Sequence, residues 1–167
     1  MAENEYDLNP VANGADTAPQ IGLIAQYVKD LSFENPNAPG IYQAQIQPQF
    51  DVQMNVGATP VAEDVHEVAM KVEVRAIGEN DVTAFAVELL YAGLFGVRNV
   101  PDDQLHPFLY AEAPRLLFPF ARRIIAEVVR DGNFPPMLLD PIDFGAMYLQ
   151  QVQQANGLAT SEPAGQA

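Results

Sequence analysis

Cysteine is absent from this chain of 167 residues, histidine occurs twice, and serine stands only at Ser32 and Ser161. Without cysteine there is no disulfide framework, no thiol nucleophile and no thiolate metal site. Neither serine lies in a Gly-x-Ser-x-Gly setting, and no glycine-rich phosphate cradle or dinucleotide fingerprint is present. Positive charge is also scarce: 8 Lys and Arg face 22 Asp and Glu, a formal net charge of -14. Such a surface repels phosphate backbones and anionic lipid, which argues against nucleic-acid binding and membrane attachment. Either the acidity only keeps an apolar protein soluble, or it complements a basic partner. No uncharged apolar run approaches the ~20 residues of a membrane span. The acidic start Met1-Ala2-Glu3-Asn4-Glu5-Tyr6-Asp7 has no apolar core and does not read as a signal peptide. A soluble protein of a reducing compartment, the cytoplasm, is the expectation.

What the chain does have is apolar side chains, 49% of residues against 18% charged, enough for one domain with a sizeable core. Residues 1–19 and 157–167 are rich in Asn, Ala, Asp, Pro and Gly and read as disordered tails around a domain spanning 20–156. In its first half the apolar period is two. Val28, Asp30, Ser32 and Glu34 fall on one face of a strand, with Tyr27, Leu31 and Phe33 on the other. Phe50, Val52, Met54 and Val56 alternate until Gly57-Ala58-Thr59-Pro60, read as the end of that strand. Val68, Met70, Val72 and Val74 oppose Glu67, Lys71, Glu73 and Arg75, Gly78-Glu79-Asn80-Asp81 makes a hairpin turn, and a further strand runs from Val82 to Phe95. The short links favour antiparallel pairing.

After Pro101 the period becomes helical, through Leu105, Phe108, Leu109, Leu116, Leu117, Phe120, Ile124, Val128 and Val129. Pro107, Pro114 and Pro119 each remove a donor and should kink this helix, and Gly132 should stop it. A last helix is expected from Asp140-Pro141, as cap and first residue, through Ile142, Met147, Tyr148 and Val152. Both helices carry more apolar surface than one monomer can cover, so the long one should bury a second face against another subunit.

The residues offer little catalytic chemistry. Strand alternation splits Glu63-Asp64-Val65-His66-Glu67, so a metal site there is disfavoured against a polar strand start. His106, beside Pro107, reads as a capping or surface residue. Two other features are more suggestive. Asn35 to Gln49 is a long proline-punctuated connection carrying Ile41, Tyr42 and Ile46, either a crossover that completes the core or a loop over the final helix with an apolar groove between them. Such a groove would hold extended peptide with little sequence preference, because apolar burial is non-directional. Asp30, Glu34 and the mid-strand Glu88 either face solvent or form a carboxylate surface for a small basic module.

Several stretches, in one order along the core, resemble the SecB family of protein-export chaperones. They are Tyr27-x-Lys29-Asp30-x-Ser32-Phe33-Glu34-x-Pro36-Asn37-Ala38-Pro39, Asp64-Val65-x-Glu67-Val68, Thr83-Ala84-Phe85-x-x-Glu88 and Gly93-x-Phe95. Ala113-Pro114-x-x-Leu117-Phe118-Pro119-Phe120-Ala121-Arg122 is the most specific, followed by Gly132-x-Phe134-Pro135 and Leu139-x-Pro141-Ile142-x-Phe144. The resemblance implies an α+β protomer, a four-stranded antiparallel sheet with a long kinked helix and a C-terminal helix, assembled as a dimer of dimers. It implies an ATP-independent holdase, not an enzyme, that keeps unfolded precursor proteins competent for export and passes them to the SecA motor. In this family an acidic sheet face meets the zinc-containing C-terminal segment of SecA, so neither metal nor cofactor is expected on this chain. By position that face comprises Asp30, Glu34, Ala86 and Glu88, with Ala86 departing from a larger aliphatic residue. Tyr42, Ile46, Phe144 and Tyr148 are the expected groove residues, Ile46 standing where an aromatic also occurs. The alternative reading is an α+β oligomer binding a small apolar ligand in the groove; a hydrolase with a carboxylate site ranks third.

Overall fold

The computed structural model describes residues 17–159. Strands β1 (Gln20–Glu34), β2 (Gln49–Ala62), β3 (Val65–Ile77) and β4 (Thr83–Arg98) form one sheet in the order β1-β4-β3-β2. Every neighbouring pair is antiparallel. Alternation in β3 sorts the two faces, because Val68, Met70, Val72, Val74 and Ala76 are fully buried while Arg75 between them is exposed. Both hairpin turns use left-handed residues, Asp64 after β2 and Asn80 with Asp81 after β3, and Asn and Asp tolerate that region better than most. Because β1 pairs with β4, the chain leaving β1 must pass β4 and β3 to start β2, about 14 Å at the usual strand spacing. The long connection Asn35–Pro48 makes that crossing, a Greek key.

Two expectations about the strands are corrected. The stretch Gly57–Pro60 does not end β2, which continues to Ala62 with Pro60 opposite His66. β2 is an edge strand, so the missing proline donor costs no ladder bond on its outer side. In β1 the register slips at Ile24 and again at Lys29, where Val28 pairs with Tyr91 and Asp30 with Leu90. Each slip inserts one extra residue and reverses the phase of everything before it. Val28 therefore shares the helix-side face with Tyr91, and Tyr27, not Val28, lies on the face of Asp30, Ser32 and Glu34.

The helical half covers one sheet face. Helix α1 (Asp102–Pro107) passes through a π turn (Phe108–Glu112) into α2 (Ala113–Asp131) with helical dihedrals at both joints. The Ala113 N–H donates to the Phe108 carbonyl five residues back, and Pro114 has no N–H to offer. The expected proline irregularity is thus absorbed as a wider turn. Leu117, Ala121, Ile125 and Val129, four residues apart, are fully buried against the sheet. Helix α3 (Phe144–Ala159) packs on the π turn. It begins later than the expected Asp140-Pro141, and its cap is Asp143, whose carboxylate accepts the Ala146 N–H at 2.9 Å. The helix runs past residue 156 to Ala159, and most of both expected tails lies outside the described residues.

Gly132 does close α2, but for a different reason than a left-handed turn. Its φ is -77°, Asn133 takes the left-handed position, and a Cβ at 132 would collide with the Phe33 ring. Gly132→Ala should therefore lower stability by about 1–3 kcal/mol through overpacking. Gly157→Ala, in α3 with open space around it, should be neutral or stabilise by up to about 1 kcal/mol. Denaturant midpoints of the two variants check this opposition of sign.

Candidate functional site

Between the crossover and the segment joining α2 to α3 lies an apolar groove of about 700 Å³. Ile41, Tyr42, Ile46 and Pro48 form one wall, Phe134 to Leu139 the other, and Phe50, Val52, Ala84 and Phe85 the floor. The floor follows from strand phase: Val52 pairs with Val74 and Phe50 with Ala76, so β2 presents both toward the helix side. Aromatic rings run through it, with Phe85 4.9 Å from Phe134 and 6.3 Å from Phe50, and Tyr42 5.7 Å from Phe134. Several lining side chains remain open to water, Phe50 at 52% and Leu138 at 65% exposure.

Polar contacts hold the crossover in place without filling the groove. The Tyr42 hydroxyl donates to the Gly132 carbonyl at 2.8 Å, and the Asn35 amide donates to the Tyr42 oxygen at 2.6 Å. The Asn37 amide donates to the Thr83 carbonyl at 2.8 Å. The loop is thereby tied to the end of α2 and the start of β4, the two elements flanking the floor.

Of the groove residues expected from sequence, Tyr42 and Ile46 line this cavity, while Phe144 and Tyr148 lie elsewhere. Phe144, 3% exposed, packs its ring edge-on against Phe118 in the core. Tyr148 meets His106 Nδ1 at 2.9 Å, and His106 stacks on Tyr110, which holds α3 to α1 and the π turn. The later start of α3 is the cause: residues 133–143 form an irregular linker, and this linker, not α3, supplies the wall opposite the crossover. Sequence reasoning missed Phe50, Phe85, Phe134, Met137 and Leu138 as groove residues. The run Phe134-Pro135-Pro136-Met137-Leu138-Leu139 carried a usable signal, since apolar residues held out of regular structure by two prolines repeat the pattern of the crossover.

On the opposite sheet face Asp30, Glu34, Ala86 and Glu88 do lie together. Glu34 pairs with Ala86, Ser32 with Glu88 and Asp30 with Leu90, and paired residues share a face. The register extends the surface across β3 and β2, with Glu88 opposite Glu73 and Glu73 opposite Gln53, and Ala86 opposite Arg75, which faces Asp51. Ser32, Glu34, Asp51, Glu73, Ala86 and Glu88 border a shallow depression of about 290 Å³. Lys71 Nζ stands 3.0 Å from Glu88 and 3.3 Å from Glu73, and the bonds to Glu88 and then Glu73 raise its pKa above the ordinary lysine value. Nearer the other end of β3, Glu67 accepts from Lys29 at 2.8 Å and from the Tyr27 hydroxyl at 2.5 Å. The Lys29 bond, then that of Tyr27, holds the Glu67 carboxyl below its usual range, while the bond to Glu67 and then burial push Tyr27 up.

Apolar groove and charged face thus sit back to back across one sheet. The family described as Preprotein translocase subunit SecB matches residues 14–155. Relatives named protein-export protein SecB are 62% identical in Rhizorhabdus wittichii and 60% identical in Zymomonas mobilis, each aligned over 100% of both chains. Among solved structures, a SecB-like chaperone of Mycobacterium tuberculosis in complex with a ChAD peptide from an antitoxin superposes with a TM-score of 0.61. That likeness covers 73% of this chain and 90% of the other at 12% identity, and it speaks to the fold. A family match over most of the chain and full-length relatives at this identity place it: this chain belongs to the SecB family of protein-export chaperones.

Proposed function

We propose that this chain is an ATP-independent holdase which seats unfolded precursor segments in the crossover groove and delivers them to SecA through the carboxylate face. The observation that carries the reading is the separation of the two surfaces on opposite faces of the sheet, so that a client and a motor can be held at once. The groove suits extended apolar segments of varied sequence, since its lining is aliphatic and aromatic and the attraction scales with area at ~25 cal/mol per Å². Asp30, Glu34 and Glu88 supply the charge for the zinc-containing C-terminal segment of SecA, with Ala86 leaving a shallow spot between them, and the metal belongs to the partner. Release comes from transfer to SecA or from folding of the client. Cytoplasmic action fits a chain in which no described helix is long and apolar enough to cross a membrane.

A homotetramer, a dimer of dimers, would cover the apolar surfaces that one protomer leaves open. These are Leu116 and Phe120 on α2 and Ile21, Leu23, Ile24, Val28 and Leu31 on β1. Light scattering should give a particle of four chains; a monomer at micromolar concentration would overturn this part of the reading.

Leu138→Asp removes an exposed groove side chain without opening the core, and should weaken retention of an unfolded precursor about tenfold, as expected for one lost leucine contact. Its affinity for the SecA segment should stay unchanged. Unaltered client retention would refute the groove. The triple change Asp30→Ala, Glu34→Ala and Glu88→Ala should abolish binding of the SecA segment at low salt and spare the client; titration calorimetry of both partners reads the difference.

A further inference from the structure

The carboxylate face is not uniformly negative, and its positive charge is placed with consequence. Glu73 on β3 and Glu88 on β4 stand directly opposite one another, a like-charge pair that opposes sheet pairing. Lys71, two residues before Glu73 on the same face, reaches both carboxylates, Glu88 at 3.0 Å and Glu73 at 3.3 Å. Arg75, two residues beyond Glu73, forms no ion pair with a described residue. Of these two β3 cations, one is therefore bound to a carboxylate assigned above to the partner, and the other is not.

We propose that Lys71 is a specificity-determining residue of this surface, an internal competitor that occupies Glu88 and must be displaced before a cationic partner can pair with it. The inference rests on the carboxylate face being the docking surface. Both ends of the competition are exposed, with side chains of Lys71 and Glu88 at 42% and 47%, so the exchange is open to a partner from solvent. Glu73 offers Lys71 an alternative carboxylate when the partner arrives. The lysine then stays paired instead of facing an incoming charge of its own sign, and a basic segment that reaches Glu88 is admitted at a reduced, salt-dependent affinity. A partner whose cations meet only Asp30 and Glu34 would be indifferent to Lys71, so the device discriminates between basic segments by the position of their charge.

The test uses the full chain and the zinc-loaded C-terminal segment of SecA. Lys71→Gln should tighten binding about two- to fivefold at low ionic strength, the worth of an exposed ion pair, and the gain should vanish at high salt. Lys71→Arg should restore ordinary affinity. Glu73→Gln leaves Lys71 with Glu88 alone and should weaken binding. Arg75→Gln removes an equal charge from the same strand face without freeing Glu88, so its effect should be clearly smaller than that of Lys71→Gln. Equal effects of the two cation removals would reduce the lysine to a general field, and weaker or unchanged binding by Lys71→Gln would overturn its competing role. If either result appears while the triple Asp30, Glu34 and Glu88 variant has lost the SecA segment, the docking face stands and only the lysine's role falls. Retained binding by the triple variant overturns both.

Discussion

The seating of α2 on β3 and β4 is the contact on which the rest of the molecule depends. Leu117, Ala121, Ile125 and Val129 meet the buried faces of Val68 to Ala76 and Phe85 to Phe95 in one apolar layer. The approach is close enough that side chains had to be left out. A Cβ at Gly93 would come within 2.7 Å of the Leu117 side chain, and Gly132 leaves room for the Phe33 ring. At the margin of this contact Phe85 and Phe134 pack as tilted rings beside the groove. Interiors at organic-crystal density do not tolerate both a close contact and large side chains at the same point.

Strand order converts that packing into two surfaces. With β1 beside β4, an antiparallel meander of β2, β3 and β4 can be completed only by a long return across one end of the sheet. That return is the crossover, and because α2 already covers the middle of the inner face, the loop is confined to its margin. There it meets the linker after α2 and encloses the groove. The outer face has no covering element among the described residues and retains the polar half of each strand's alternation. The apolar groove and the charged face are therefore consequences of one topology.

Much of this was legible in the sequence, and the failures share a physical cause. Alternation in β3 separated buried Val72 from exposed Arg75 correctly because central strands are strictly phased by burial on one face. The bulges at Ile24 and Lys29 left no comparable trace, since Gln26 to Val28 reads equally well in either phase until the partner strand is known. Pro60 misled because its tolerance depends on an edge position, a property of the sheet and not of the strand. Even spacing put Asp30 and Glu34 on one face of β1, whereas their grouping with Ala86 and Glu88 came from the family resemblance, because the pairing of β1 with β4 is not written in either strand. Phe144 and Tyr148 were misplaced because Asp140 and Asp143 are both plausible caps, and a three-residue change in the start of α3 hands the groove wall to the linker. Local chemistry proposes such choices, and tertiary packing makes them.

Phe85 belongs at once to the buried core and to the floor of the groove, at 2% exposure, while its neighbour Phe50 stands 52% exposed. The groove is in this sense the unfinished portion of the domain's own interior, open where another chain can supply the missing side chains. An occupant that binds only the folded domain would act as a temporary part of the fold and, by linkage, would stabilise the domain against unfolding. Retention of a client would then be coupled to folding stability through its affinity and concentration, and such a groove would tolerate varied sequences as an apolar interior tolerates substitutions that preserve volume.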